Sequence, residues 1–226
     1  MRILIILFLL IPFHLNATVF SIEQWTDFYL RDCTTLEKNR ACKQDLELIL
    51  GRMVGYSKMM FKYLDKEDLP RWLIAVPAVE SSFKPDAISR SNAIGLWQLM
   101  PFNIRHYMTK EKTIMGQTFT MVPTPAKILK YGKDPVINTR LGAKHMGILF
   151  KQFRYHKETA KLSILAYNCG ASRVKSWLLG KSTLPSETQN YYNKIMAVKH
   201  IIRNMKALGV KPVRQLTIIE RLKGWM

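Results

Sequence analysis

Val76-Pro-Ala-Val-Glu-Ser-Ser-Phe-Lys-Pro-Asp-Ala87, continued by Ile88-Ser-Arg-Ser-Asn-Ala-Ile-Gly-Leu-Trp-Gln-Leu-Met-Pro101, decides the reading of this chain. An apolar run ends there on a lone carboxylate, Glu80, where Ser81, Ser82 and Pro85 signal the end of a helix. A carboxyl group half removed from water is expected to keep its proton to higher pH, which is what a general acid needs. Gln98 follows in Gly95-Leu-Trp-Gln, an aromatic and an amide behind a glycine that would let a ligand approach the backbone. Sugars are held by such groups.

Working outward, 226 residues with 48% hydrophobic content suffice for one core with short extensions. Lys and Arg total 35 against 16 Asp and Glu, a net charge of +19 that draws the surface toward polyanions: nucleic acid, anionic lipid or an acidic wall polymer. Met1-Arg2, the apolar run Ile3 to Phe13 and Leu15-Asn16-Ala17 have the form of a signal peptide, so residues 1–17 are expected to be removed. The apolar run is short for a membrane span, which takes about 20 residues. If the chain is exported, Cys33 and Cys42 are a candidate disulfide pair or two separate thiols, and Cys169 has no sequence partner.

The remaining pattern is mainly α. Residues 20–64 read as two helical parts, with Leu46, Ile49, Leu50, Met53, Met60 and Leu64 forming one apolar stripe. Asp68-Leu-Pro-Arg predicts an N-cap at Asp68 and a helix through Trp72, Leu73 and Val76 to Glu80, kinked at Pro77. A short helix with Pro101 in its first turn comes next, then a small hairpin or loop near 111–125. Asp134-Pro135 reads as cap and first helical residue. Further helices are expected from Glu158 to a stop at Gly170, from Arg173 to Leu179, and from Glu187 to Lys206, before a basic tail. The resulting division is a leader (1–17), a helical extension (18–67), a main domain (68–200) and a tail (201–226).

Metal and nucleophile chemistry find little support. The histidines at 14, 106, 145, 156 and 200 contain no His-x-x-x-His pair, the cysteine spacing gives no zinc site, and no Gly-rich phosphate loop occurs, so no metal or cofactor is expected. Cys169 lacks a nucleophile signature and reads as a packed thiol. Glycoside cleavage ordinarily employs two carboxylates. Among those after Glu80, Asp134 reads as a cap, Asp86 and Glu158 as turn or helix-start residues, and Glu187 alone lies among ligand-capable groups. Trp97 reads more readily as core than as a sugar platform.

Glu80-Ser81, Gly95-Leu-Trp-Gln98, Ala166-Tyr-Asn-Cys-Gly170 and Glu187-Thr-x-x-Tyr191 resemble, in order and spacing, the successive motifs of lytic transglycosylase domains of the soluble-murein-transglycosylase type. The resemblance extends over about Asp68 to His200 and is nearest to the membrane-bound type D group. It implies a lysozyme-like α fold and cleavage of peptidoglycan between N-acetylmuramic acid and N-acetylglucosamine without water, leaving a 1,6-anhydro end. Glu80 would be the single acid and base. Ser89 and Gln98 would contact sugar or acetamido groups, Tyr167 and Asn168 would line the site opposite Glu80, and Glu187 and Tyr191 would complete or brace it.

The chain departs from that pattern in places. Cys169 stands where Ala or Ser is usual, Asn193 where proline is common, the connection from Glu111 to Pro125 is long, and the peptidoglycan-binding repeats common in the type D group are not expected. The implied setting is the periplasm or cell envelope of a bacterium. Glycan strands are the partner, and a secretion or envelope machine is a further candidate. Membrane association is expected only through an uncleaved leader or surface charge. Nucleic acid is disfavoured, since the leader argues export and the basic residues are scattered. A hydrolytic muramidase of goose-lysozyme type and a non-catalytic wall-binding or assembly module are the alternatives.

Overall fold

In the computed structural model, which describes residues 18–31, 42–114 and 117–213, the backbone is mainly α with one hairpin. The leader, Cys33, Gly116 and the end of the basic tail lie outside the described residues. Among the described residues no helix is long and apolar enough to cross a membrane. Contacts divide the chain into two compact units, Tyr56–Gln152, and Met1–Gly55 together with Phe153–Met226.

Helix α1 (Ile22–Leu30) starts on a capping box, in which Ser21 Oγ accepts from the Gln24 amide while Gln24 Oε1 accepts from the Ser21 amide. Helix α2 (Lys43–Lys66) carries the predicted apolar stripe, with Leu46, Ile49, Leu50, Met53, Met60 and Leu64 all buried. Cys42, just before it, is disulfide-bonded, whereas Cys169 is free.

Asp68 corrects the sequence reading, because it ends α2 and caps no following helix. It sits in the left-handed region (φ 55°), the Leu69 amide reaches back to Leu64 O and the Asp68 amide to Asp65 O. That is a Schellman reversal, sealed by buried Leu64 and Leu69. Polypeptide after it enters a 3-10 turn (Arg71–Ile74) with no side-chain cap, and the α-helix proper, α3, is Ala75–Ser81. Pro77 is therefore the third residue of α3 and not the middle of a long helix. No intrahelical partner exists for an N–H there, so the proline needs no kink.

Helix α4 (Pro101–Met108) starts on its proline as expected. The uncertain region resolves into an antiparallel hairpin, β1 (Lys110–Ile114) and β2 (Gln117–Met121), with Lys110 opposite Met121 and Ile114 opposite Gln117. A helix that the sequence reading did not include follows: α5 (Pro125–Lys133), with Thr124 Oγ1 capping the Lys127 amide and a proline at its start. Asp134 then caps α6 (Pro135–Gln152) by accepting from the Ile137 amide at 2.8 Å.

In the other unit, α7 (Thr159–Cys169) stops at Gly170 (φ 87°), which also opens α8 (Ala171–Leu178). Helix α9 (Ser186–Asn204) packs against α1 and α7. The first residues after it are held rather than loose: Val210 is buried, and the amides of Lys211 and Val213 donate to Glu47 Oε1 and Glu47 O.

Candidate active site

In the unit Tyr56–Gln152, Glu80 is the penultimate residue of α3 and is half-buried. Buried Ala75, Val76 and Ala78 fix the helix behind it. Ser81 Oγ donates to Leu96 O at 2.8 Å and contacts Pro77 O at 3.2 Å, so the end of the glutamate helix is bonded to the Gly95-Leu-Trp-Gln turn. Directly after it Ser82 and Phe83 both adopt left-handed φ values of 54° and 57°, and Ser82 is the C-cap. Consecutive left-handed non-glycine residues are strained, and such strain concentrates at functional sites. Phe83 is held by stacking on Tyr56 at 6.4 Å between centroids.

The turn opposite Ser81 is equally specified. Its backbone bridges Ile88 to Ile94 and Ile94 to Leu99. Ser89 closes a loop, its amide donating to Ala93 O and its hydroxyl accepting from the Ala93 amide, both at 2.9 Å. Gln98 (φ 46°) has its amide nitrogen bonded to Ala87 O at 3.2 Å and Gly95 O at 2.8 Å, so its orientation is set by backbone and the side chain remains partly exposed. Gly95 corrects the sequence reading. At φ 80°, a Cβ there would lie 2.0 Å from Gly132 O, so the close approach is by protein backbone and not by a ligand. Trp97 is fully buried, as core, and a Cβ on Gly142 would strike its ring at 2.3 Å.

Asn138, which sequence reasoning missed, organises this turn. It is fully buried in α6; its Oδ1 accepts from the Trp97 amide at 2.8 Å, and its Nδ2 donates to Ile94 O and Gly132 O, each at 2.9 Å. The available signal was an amide on the face that also carries Leu141, Gly142 and Met146. A polar side chain in a buried stripe has to be bonded, and here its partners are distant in sequence.

In the unit containing α7 and α9, Tyr167 and Asn168 occupy the end of α7 and Glu187 the exposed first turn of α9. Asn168 Oδ1 accepts from Thr188 Oγ1 at 2.8 Å, which joins the third and fourth motifs through a threonine not singled out from sequence. Thr188 and Tyr191 are buried in α9, whereas Glu187, one turn before Tyr191, is exposed. Cys169 is a half-buried free thiol whose pKa is raised by burial, opposed by Thr188 and Arg173. Thus Asn168, Cys169 and Thr188 form one cluster, and Glu80, Ser81, Ser89 and Gln98 belong to the other unit.

The family model for the transglycosylase SLT domain matches residues 59–190. The chain belongs to this family. Its matched span holds every motif quoted above except the last residue of the fourth, Tyr191. The SLT-domain chain is 30% identical over 185 residues to membrane-bound lytic murein transglycosylase D of Escherichia coli, covering 77% of this chain and 36% of that protein. It is 26% identical over 171 residues to the soluble lytic murein transglycosylase of the same organism, covering 70% and 24%. This chain therefore spans about a third and a quarter of those relatives' lengths. The solved 70-kDa soluble lytic transglycosylase of Escherichia coli superposes with a TM-score of 0.51 at 25% identity, over 70% of this chain and 25% of that one, and a complex of that enzyme with bulgecin A gives the same TM-score. The fold is accordingly the mainly α, lysozyme-like transglycosylase type.

Proposed function

We propose that this SLT-domain protein is a peptidoglycan lytic transglycosylase with Glu80 as its acid and base. The observation that carries the reading is the half-buried Glu80 at the strained end of α3, with its neighbour Ser81 bonded to the turn bearing Gln98, inside a family-model match. Glu80 gives its proton to the oxygen between N-acetylmuramic acid and N-acetylglucosamine as the bond to muramic C1 breaks. The resulting carboxylate takes the proton of the muramic C6 hydroxyl, and O6 closes on C1. Protons and bonds balance without water, so the reaction needs no second carboxylate to activate one. Ser89, Gln98, Tyr167, Asn168, Glu187 and Tyr191 hold or brace the sugars; the bonds that fix Gln98, Ser89 and Asn168 support that assignment.

In this reading the chain is exported, loses residues 1–17 with Arg2 and acts in the bacterial cell envelope, where the remaining net charge, one less than the +19 of the whole sequence, favours acidic wall polymer. The murein named in both Escherichia coli relatives supports the substrate. Mass spectrometry of purified peptidoglycan digested by wild type and Glu80→Gln tests it. Anhydro-muropeptides from wild type alone are expected. Reducing-end products would identify a hydrolase, and wall binding with no product would identify a binding module.

A further inference from the structure

A cavity of about 290 Å³ lies in the unit that contains α1, α7, α8 and α9, and none of the residues assigned above lines it. Its walls come from Val19 ahead of α1, Lys161 and Leu165 of α7, Trp177 of α8, Leu184, and the face of α9 bearing Tyr192. That volume is at the lower limit of small-ligand pockets, which run from about 300 to 1,000 Å³. A dipeptide or a single sugar ring fits, and a polymer strand does not.

The wall is preformed. Asn190 holds the segment before α1 from both sides: its Oδ1 accepts from the Phe20 amide at 2.9 Å and Trp25 Nε1 at 3.2 Å, while its Nδ2 donates to Thr18 O at 3.0 Å. Val19 is thus fixed between two anchored neighbours.

The polar groups are unevenly used. Gln189 Nε2 and Asn193 Nδ2, both lining the cavity, are spent on Leu184 O and Phe20 O, which leaves their amide oxygens as acceptors. Among the described residues Trp177 Nε1 and the Tyr192 hydroxyl make no hydrogen bond, although the Lys161 and Glu158 charges both act on Tyr192. Lys161 Nζ makes one contact, 3.0 Å to Glu158 Oε1, and keeps two N–H groups. The Lys161 ammonium, which a ligand would share with Glu158, together with the phenol and the indole N–H supplies donors for a carboxylate; the amide oxygens suit a peptide N–H; Leu165, Leu184 and Val19 suit small apolar side chains.

We infer that this cavity is an accessory site for the carboxyl-terminal end of a short peptide with small side chains. The inference rests on the peptidoglycan reading, since the peptide stems of murein present such ends. Placement along α7 agrees: Lys161, Leu165 and Asn168 form one stripe, and seven residues at about 1.5 Å each put Lys161 roughly 10 Å along the axis from Asn168.

The experiment titrates the full chain, as wild type and Glu80→Gln, with acetyl-D-alanyl-D-alanine, its C-terminal amide and N-acetylglucosamine, read by calorimetry and by the Trp177 indole NMR signal. Saturable binding of the free acid is expected, about tenfold tighter than the amide, and about tenfold weaker after Lys161→Met or Tyr192→Phe. Equal binding of acid and amide, preference for the sugar, or no shift at Trp177 overturns the proposal. Binding does not require turnover. Peptide binding without glycan cleavage would remove only the transglycosylase reading, and cleavage without peptide binding only the accessory site.

Discussion

Asn138→Ala tests whether one buried amide sets the shape of the Gly95–Gln98 turn. The residue is fully buried and makes three hydrogen bonds of 2.8 to 2.9 Å. Alanine leaves the Trp97 amide as a buried donor without an acceptor, at about 1–3 kcal/mol, and deletes two further bonds at about 1 kcal/mol each. Ile94 O retains a second donor, the Leu99 amide at 3.0 Å, so its loss is at the low end. The sum is about 3–5 kcal/mol, which for a chain of this length lowers the melting temperature by roughly 10 °C.

Asn138→Asp makes the argument sharper, because it keeps the acceptor facing the Trp97 amide and replaces the donor with a second oxygen aimed at two carbonyls. An ionised carboxylate is disfavoured there, so its folded pKa lies above the unfolded value of about 3.9. The folded state then binds more protons than the unfolded one, and relative stability rises as pH falls from the folded pKa toward about 3.9. The assay is thermal unfolding of wild type and both variants at pH 7.5, 6 and 4.5. An alanine variant melting within about 2 °C of wild type, or an aspartate deficit that does not shrink toward pH 4.5, would refute the reasoning.

Glycines separate by what surrounds them: Gly95→Ala and Gly142→Ala, whose Cβ atoms would meet Gly132 O at 2.0 Å and Trp97 Cγ at 2.3 Å, should each lower the melting temperature by several degrees. Gly55→Ala, in helix α2 with nothing within 4 Å, should instead stabilise by about 0.5–1 kcal/mol. Burial lowers the pKa of His145 below its ordinary 6.5, so its contribution is fully present above that pH and is lost as pH falls through the folded value. Stability measured from pH 7.5 to 5 should therefore decline less steeply in His145→Gln than in wild type. Asn190→Ala removes the three bonds that hold the segment before α1, and hydrogen exchange should show the Phe20 amide losing protection about tenfold while Thr188 is unaffected.

What could be seen in the sequence was what local chemistry decides. The helix end at Ser81 and Ser82, the stop at Gly170 and the Asp134-Pro135 start each depend on neighbours within a few residues. Asp68 was misassigned because an aspartate before proline fits an N-cap as well as it fits a left-handed reversal, and only the Leu69-to-Leu64 bond tells them apart. Helix α5 escapes the sequence reading although Thr124-Pro125 is a proper start and its lysines and apolar residues segregate well, because nine residues make only about two and a half turns beside a threonine-rich hairpin. Asn138 and Gly95 were beyond local reading: their partners are 41 and 37 residues away, in elements whose packing no single stretch specifies.

The departure at position 193 has a structural counterpart that the resemblance alone would not supply. Asn193 Nδ2 donates to Phe20 O at 2.7 Å, a bond that a proline at this position, as the resemblance leads one to expect, would not make. Asn190, three residues earlier and so on the same side of α9, binds Thr18, Phe20 and Trp25. Lys194 adds a cation 4.5 Å above the Trp25 ring. In helix α9, Thr188 bonds the motif on α7 and Tyr191 is buried, while Asn190, Asn193 and Lys194 fasten the N-terminal helix. Both asparagines have their partners between Thr18 and Trp25, ahead of the span matched by the family model. That same fastening sets Val19 in the wall of the cavity that Tyr192 also lines.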